Sequence, residues 1–159
     1  MERIEITKHG VTLTINKPPT EETRVSALEN QLGRTLPAEY REFLLRYNGG
    51  KPKPGIFRFA LRNGRNTDSR VHWFLSLYEG EFSNLERNID TFRGRLPADM
   101  LPIADDPFGN IVLLGLHGDV RGKVYFWDHE AEPDSQPDWS NIDLIADSFD
   151  SFMRALTPT

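Results

Sequence analysis

The residues with the clearest capacity for acid–base or metal chemistry are four histidines, at positions 9, 72, 117 and 129. No two stand at ligand spacing and none lies in an H-E-x-x-H helix. Asp128-His129-Glu130 gathers two carboxylates beside an imidazole, as a metal or proton-transfer cluster would. Alternation along a strand lets at most Asp128 and Glu130 share a face, so the stretch reads better as a solvated strand end. Asp105-Asp106-Pro107-Phe108-Gly109-Asn110 resembles an oxygen-ligand calcium loop but lacks the alternating ligands and the distal glutamate. It reads as a turn whose carboxylates accept from nearby backbone N–H groups. His72, beside Trp73, reads as a packed strand residue. No serine sits in G-x-S-x-G, no glycine-rich loop has phosphate-binding spacing, and a chain without cysteine has no disulfide, thiolate site or cysteine nucleophile. No catalytic, cofactor-binding or metal residue is assigned, and an enzyme is not expected.

Charge is more informative. Residues 1–98 hold 16 Lys/Arg against 12 Asp/Glu, whereas residues 99–159 hold 3 against 12, within a net charge of −5. The stretch 51–70 carries Lys51, Lys53, Arg58, Arg62, Arg65 and Arg70 against Asp68 alone. A pI near 5.4 and the absence of a nucleic-acid motif argue against direct nucleic-acid binding by those cations. If the polarity survives folding, the acidic part would steer a basic partner; otherwise folding mixes the charges and each is merely solvated.

The elements that must position these residues follow from periodicity and punctuation. Ile4, Ile6, Val11, Leu13 and Ile15 alternate with polar residues around Lys8-His9-Gly10, which predicts a hairpin over residues 1–19. Pro18-Pro19 ends it, and residues 20–23 offer a cap for a helix carrying Leu28 and Leu32 and stopped by Gly33. Pro37 opens a second helix with Tyr40, Phe43, Leu44 and Tyr47 on one stripe, closed by Asn48-Gly49-Gly50. Residues 51–55 read as irregular, 56–59 as a short strand, 62–70 as an exposed loop and 71–77 as a strand. A helix is expected over 84–92, three strands at 101–104, 111–116 and 123–127, and a long loop over 130–140. An edge strand from Ile142 and a helix capped by Asp147 or Ser148 and burying Phe149, Phe152, Met153 and Leu156 complete the chain. The expected fold is one α+β domain: a mostly antiparallel sheet flanked by an N-terminal helix pair and a C-terminal helix. No apolar run approaches about eighteen residues, so no membrane span is expected, and with no leader pattern the cytoplasm is the expected compartment.

Leu28-Glu29, Leu32-Gly33, Leu36-Pro37, Tyr40, Phe43-Leu44 and Asn48-Gly49-Gly50 resemble, in order and spacing, the N-terminal pattern of the SUKH superfamily, the SMI/KNR-like domains. Leu101-Pro-Ile-Ala-Asp105 with Gly109-Asn110, and Ala146-Asp147-Ser148-Phe149 with Phe152, are similar to later segments of that family. The resemblance covers residues 20–156. It implies a non-enzymatic immunity protein that binds a cognate bacterial toxin domain, a nuclease among the candidates, and blocks its active site. The alternative is a regulatory or scaffolding interaction domain with no toxin partner. A nuclease cleft is basic, so an acidic inhibitor face would suit it. The candidate contacts are Glu79, Glu81, Asp105, Asp106, Asp119, Asp128, Glu130, Glu132, Asp134 and Asp138, with Trp73, Tyr78, Trp127 and Trp139 as aromatic anchors. The motif residues themselves are expected in the core.

Overall fold

Alternating apolar residues build the first hairpin as expected. In a computed structural model, which describes residues 2–159 and leaves Met1 outside, β1 (Arg3–Ile6) pairs antiparallel with β2 (Thr12–Ile15), Ile4 opposite Thr14 and Ile6 opposite Thr12. Leu13 and Ile15 face the core, while Ile4 and Ile6 face solvent. The hairpin is not alone. β3 (Lys51–Lys53) extends it to three strands, with Pro52 opposite Leu13. The expectation of irregular chain there is corrected: β3 is an edge strand, where a proline's missing N–H need not break a ladder.

α1 (Glu22–Leu32) stops where Gly33 turns left-handed, and α2 (Ala38–Arg46) starts behind Pro37. Glu29 joins the two helices, accepting from Leu36 N at 2.7 Å and from Arg41 Nε at 3.2 Å. Leu28, Leu36, Tyr40, Phe43 and Leu44 are all buried. Asn48, Gly49 and Gly50 follow with φ of 54°, 90° and 124°. Asn48 is more than a cap. Its buried amide donates to Pro18 O and Leu77 O, each at 3.0 Å, and accepts from Leu77 N at 2.9 Å.

β4 (Ile56–Ala60) pairs with β5 (Asn66–Arg70), where a loop was expected. Phe57 and Phe59 of β4 are buried and demand a partner strand; β5 stays polar because most of it faces water. Of the strand expected over 71–77, only β6 (Trp73–Phe74) forms, because Leu77 N is taken by Asn48 and Ser76 N by Ser83 O. α3 (Leu85–Thr91) is capped by Asn84. β7 (Met100–Asp105), β8 (Ile111–Gly115), β9 (Val124–Trp127) and β10 (Ile142–Ala146) then complete an antiparallel sheet in the order β10-β9-β8-β7-β6. α4 (Phe149–Ala155) is capped by Ser148, whose Oγ accepts from Ser151 N at 3.0 Å. One face of this sheet joins the helices and β4 in the main core, where Phe43, Phe57, Phe74, Phe149 and Phe152 meet. The other buries Met100, Ile111, Leu113, Tyr125, Trp127 and Ile142 under Phe92, Leu96 and Trp139. The fold is a single α+β domain. Among the described residues no helix is long and apolar enough to cross a membrane.

Candidate partner-binding surface

The candidate residues fall into separate places rather than one acidic face. Two of them are structural. Trp127 is 1% exposed, edge-on to Phe92 with centroids 5.2 Å apart, so the expectation of a surface anchor is corrected. β9 is covered on both faces, and an aromatic on such a strand goes inward. Asp106 is 4% exposed and accepts from Phe108 N, Asn110 N, Asn110 Nδ2 and Ser69 Oγ at 2.7–2.9 Å. It is the turn-forming carboxylate anticipated for that loop, withdrawn from any partner.

The β7–β8 turn and the β9–β10 loop meet at one end of the sheet, where His129 N donates to Asn110 Oδ1 at 3.0 Å. Phe108, Glu130 and Asp134 are exposed there, and Asp128 is half-buried, accepting from Glu130 N. Asp138 accepts from Ser140 N at 2.9 Å, and that hydroxyl–amide pair from Ser140 holds its carboxyl below the usual range. Half-buried Trp139 rests edge-on against Tyr125. Asp105 is half-buried, 3.4 Å from His72 Nδ1, and burial pushes its carboxyl up against the pull of that imidazole. His72 itself is exposed rather than packed, which corrects that expectation. Asp119 is exposed on the β8–β9 connection, at the opposite end of the sheet.

Folding partly cancels the polarity of the sequence. Arg34 pairs with Asp99, Lys8 with Asp150 and Arg95 with Glu132. The last pair is two-pronged, at 2.9 and 2.8 Å, and those bonds from Arg95 hold the Glu132 carboxyl below its ordinary value. A depressed folded-state value means that the pair's stabilisation is complete above the unfolded value, about 4.3. It is lost as pH falls through the folded value. Arg95→Gln should raise the Glu132 titration midpoint, followed by carboxyl carbon NMR. It should cost under about 1 kcal/mol at neutral pH, vanishing in acid, because the pair is partly exposed. An unmoved midpoint would show that the pair does not form in solution.

A second patch follows β6. Trp73 and Tyr78, both half-buried, flank Lys17, whose Nζ stands 5.4 Å from each ring centroid. Burial lowers the Lys17 pKa. Tyr78 then opens a tight loop, its hydroxyl donating to Phe82 O at 2.6 Å. Buried Asn84 closes it, donating to Tyr78 O and Gly80 O at 2.8 Å each while accepting from Arg87 N. The loop holds Glu79, Glu81 and Phe82 to solvent, and Phe82 is 75% exposed. Arg24 bridges Glu79 and Glu86 behind it. Phe82 was not among the expected contacts; its only signal was a lone aromatic in the glycine-broken run Glu79-Gly-Glu-Phe82.

A cavity of about 210 Å³ lies between the first hairpin and helices α2 and α4. His9 Nε2 there is 2.8 Å from Asp150 Oδ1. Burial, and then the adjoining Asp150, push the Glu39 carboxyl up. Thr7 Oγ1, also in the lining, accepts from His9 N and Val11 N. Among the described residues no group of three or more His, Asp or Glu could hold a metal ion.

The exposed candidate residues thus gather in two places: a braced acidic loop carrying Phe82, and an acidic rim around Phe108. The SMI1 / KNR4 family (SUKH-1) matches residues 19–155, which run from the threshold of α1 through α4. The SPbeta prophage-derived uncharacterized protein YokK of Bacillus subtilis (strain 168) is 28% identical over 146 residues, covering 84% of this chain and 72% of that protein. Both β1 and β2 precede the matched stretch. With the helix pair, the central sheet and the last helix all inside that match, the chain belongs to the SMI1 / KNR4 family (SUKH-1).

Proposed function

We propose that this chain is a non-enzymatic immunity protein that binds a cognate bacterial toxin domain and covers its active site, acting in the cytoplasm. Membership of the family supports the class of function. The observation that carries the reading is the Tyr78–Asn84 loop. An exposed aromatic following two carboxylates, in a loop braced by the Tyr78 and Asn84 side chains, enters a partner's pocket with little ordering cost. Glu79 and Glu81 suit a basic cleft, and a nuclease has one because it must hold phosphates. Trp73 and Tyr78 serve as the aromatic base of this contact, and Glu130, Asp134 and Asp138 form a separate rim that steers association.

Co-expression with toxin domains encoded beside the gene tests the reading: the wild type should restore growth against its cognate toxin. Phe82→Ala should weaken that complex about 30-fold, near 2 kcal/mol, by calorimetry, with the melting temperature unchanged. Glu79→Arg with Glu81→Arg should slow association about tenfold at low salt. Stable capture of a neighbour-encoded protein without any rescue would favour a scaffolding domain instead.

A further inference from the structure

The three-stranded sheet of β1, β2 and β3 turns one face to the core and the other to water. Register decides which residues share the outer face. Ile4 stands opposite Thr14 and Thr14 opposite Lys51; Ile6 stands opposite Thr12 and Thr12 opposite Lys53. Leu13, Ile15 and Pro52 occupy the buried face. The outer face is therefore graded: two isoleucines on the first strand, threonines in the middle, lysines on the third. Ile4 and Ile6 are 67% and 72% exposed, an unusual choice for an edge strand, which natural proteins blunt with charge. The lysine side borders a groove of about 800 Å³ whose lining includes Arg70 and contains no carboxylate, in a protein of net charge −5.

We propose that this face docks an acidic amphipathic helix of a partner protein. Two strand spacings separate the isoleucine row from the lysine row, about 10 Å, the width of a helix with its side chains. A helix lying along the strands sets an apolar stripe on Ile4 and Ile6 and carboxylates over Lys51 and Lys53. Charge excludes the other occupants. A second copy laid on this face would set the lysines on lysines or on isoleucines, and in neither arrangement on a carboxylate. Anionic membranes attract basic clusters of about four to eight residues, more than the three here. Bases of a nucleic-acid strand would find no aromatic ring on the face to stack on. The surface is distinct from the Tyr78–Asn84 loop, and its partner is acidic where the proposed toxin cleft is basic.

The test uses a labelled helical peptide of about five turns, with a leucine stripe flanked by glutamates, titrated into the full chain by fluorescence anisotropy. It should bind and shift backbone amide resonances of β1, β2 and β3. Ile4→Ser with Ile6→Ser should weaken it by about tenfold or more, as should Lys51→Glu with Lys53→Glu. A lysine-flanked version of the peptide should fail on the wild type and recover on the Lys51→Glu, Lys53→Glu variant. These substitutions are on the surface and should leave thermal unfolding unchanged. Equal binding of both peptides, resonance shifts confined elsewhere, or no binding would overturn the proposal. So would flotation with phosphatidylserine vesicles in place of peptide binding, or self-association abolished by the isoleucine changes.

Discussion

Gly49→Ala should lower the melting temperature by about 8–16 °C. The added Cβ would stand 2.6 Å from Phe74 O, 2.8 Å from Leu75 O and closer still to Ser76 Oγ. Two of those three atoms are backbone, so relief requires moving the chain at β6 and not merely rotating a side chain. The residue also holds φ at 90°, a region that side chains rarely adopt. Overpacking and backbone strain together cost about 4 kcal/mol. Gly64→Ala separates the two causes, because Gly64 has φ of 87° with nothing within 4 Å of an added Cβ. That control should lose only about 1 kcal/mol. Equal melting temperatures for the two variants would show that the approach of Gly49 to β6 is looser than described.

Asp106→Ala should cost about 3–5 kcal/mol, from the loss of a buried carboxylate that satisfies two backbone N–H groups, an amide and a hydroxyl. The damage should be local first. Phe108 N and Asn110 N lose their acceptor, so hydrogen exchange at the β7–β8 turn should accelerate before the rest of the sheet does. Asp106→Asn keeps an acceptor for the two backbone groups but opposes its own N–H₂ to the Ser69 and Asn110 donors, and should fall between. If Asp106→Ala melts like the wild type, the carboxylate is not the organiser of this turn.

Helices and turns were legible because their signals are local. Gly33, Pro37 and the Tyr40–Phe43–Leu44 stripe each state their role within a few residues, and the ordered motif carried the family with them. What escaped was set by distant partners. Lys51-Pro52-Lys53 is a strand only because Leu13 lies opposite, and Asn66–Arg70 only because Phe57 and Phe59 need covering. The same holds for the candidate contacts. Trp127 looks like an anchor until Phe92 and Leu96 are seen to cover its face of the sheet. Asp106 was legible as a turn carboxylate, but not the bond from Ser69 Oγ, on a distant strand, that helps bury it. Phe82 lacked any periodic signal, because a lone exposed ring acquires meaning only from the Tyr78 and Asn84 bonds that hold its loop.

Residues far apart in the chain close this domain. Ile56 and Thr157 exchange backbone hydrogen bonds at 3.1 and 2.8 Å, His9 reaches Asp150, and Phe149, Phe152 and Met153 complete the main core. During synthesis, therefore, a ribosome that has delivered β10 has still not delivered a foldable protein. Until residues 149–157 emerge, Phe43, Phe57 and Phe74 have no lid, and the nascent chain offers them to chaperones and proteases. A chain cut short upstream of α4 would lack the residues that close the main core, so such a truncation should unfold the domain as a whole rather than trim it.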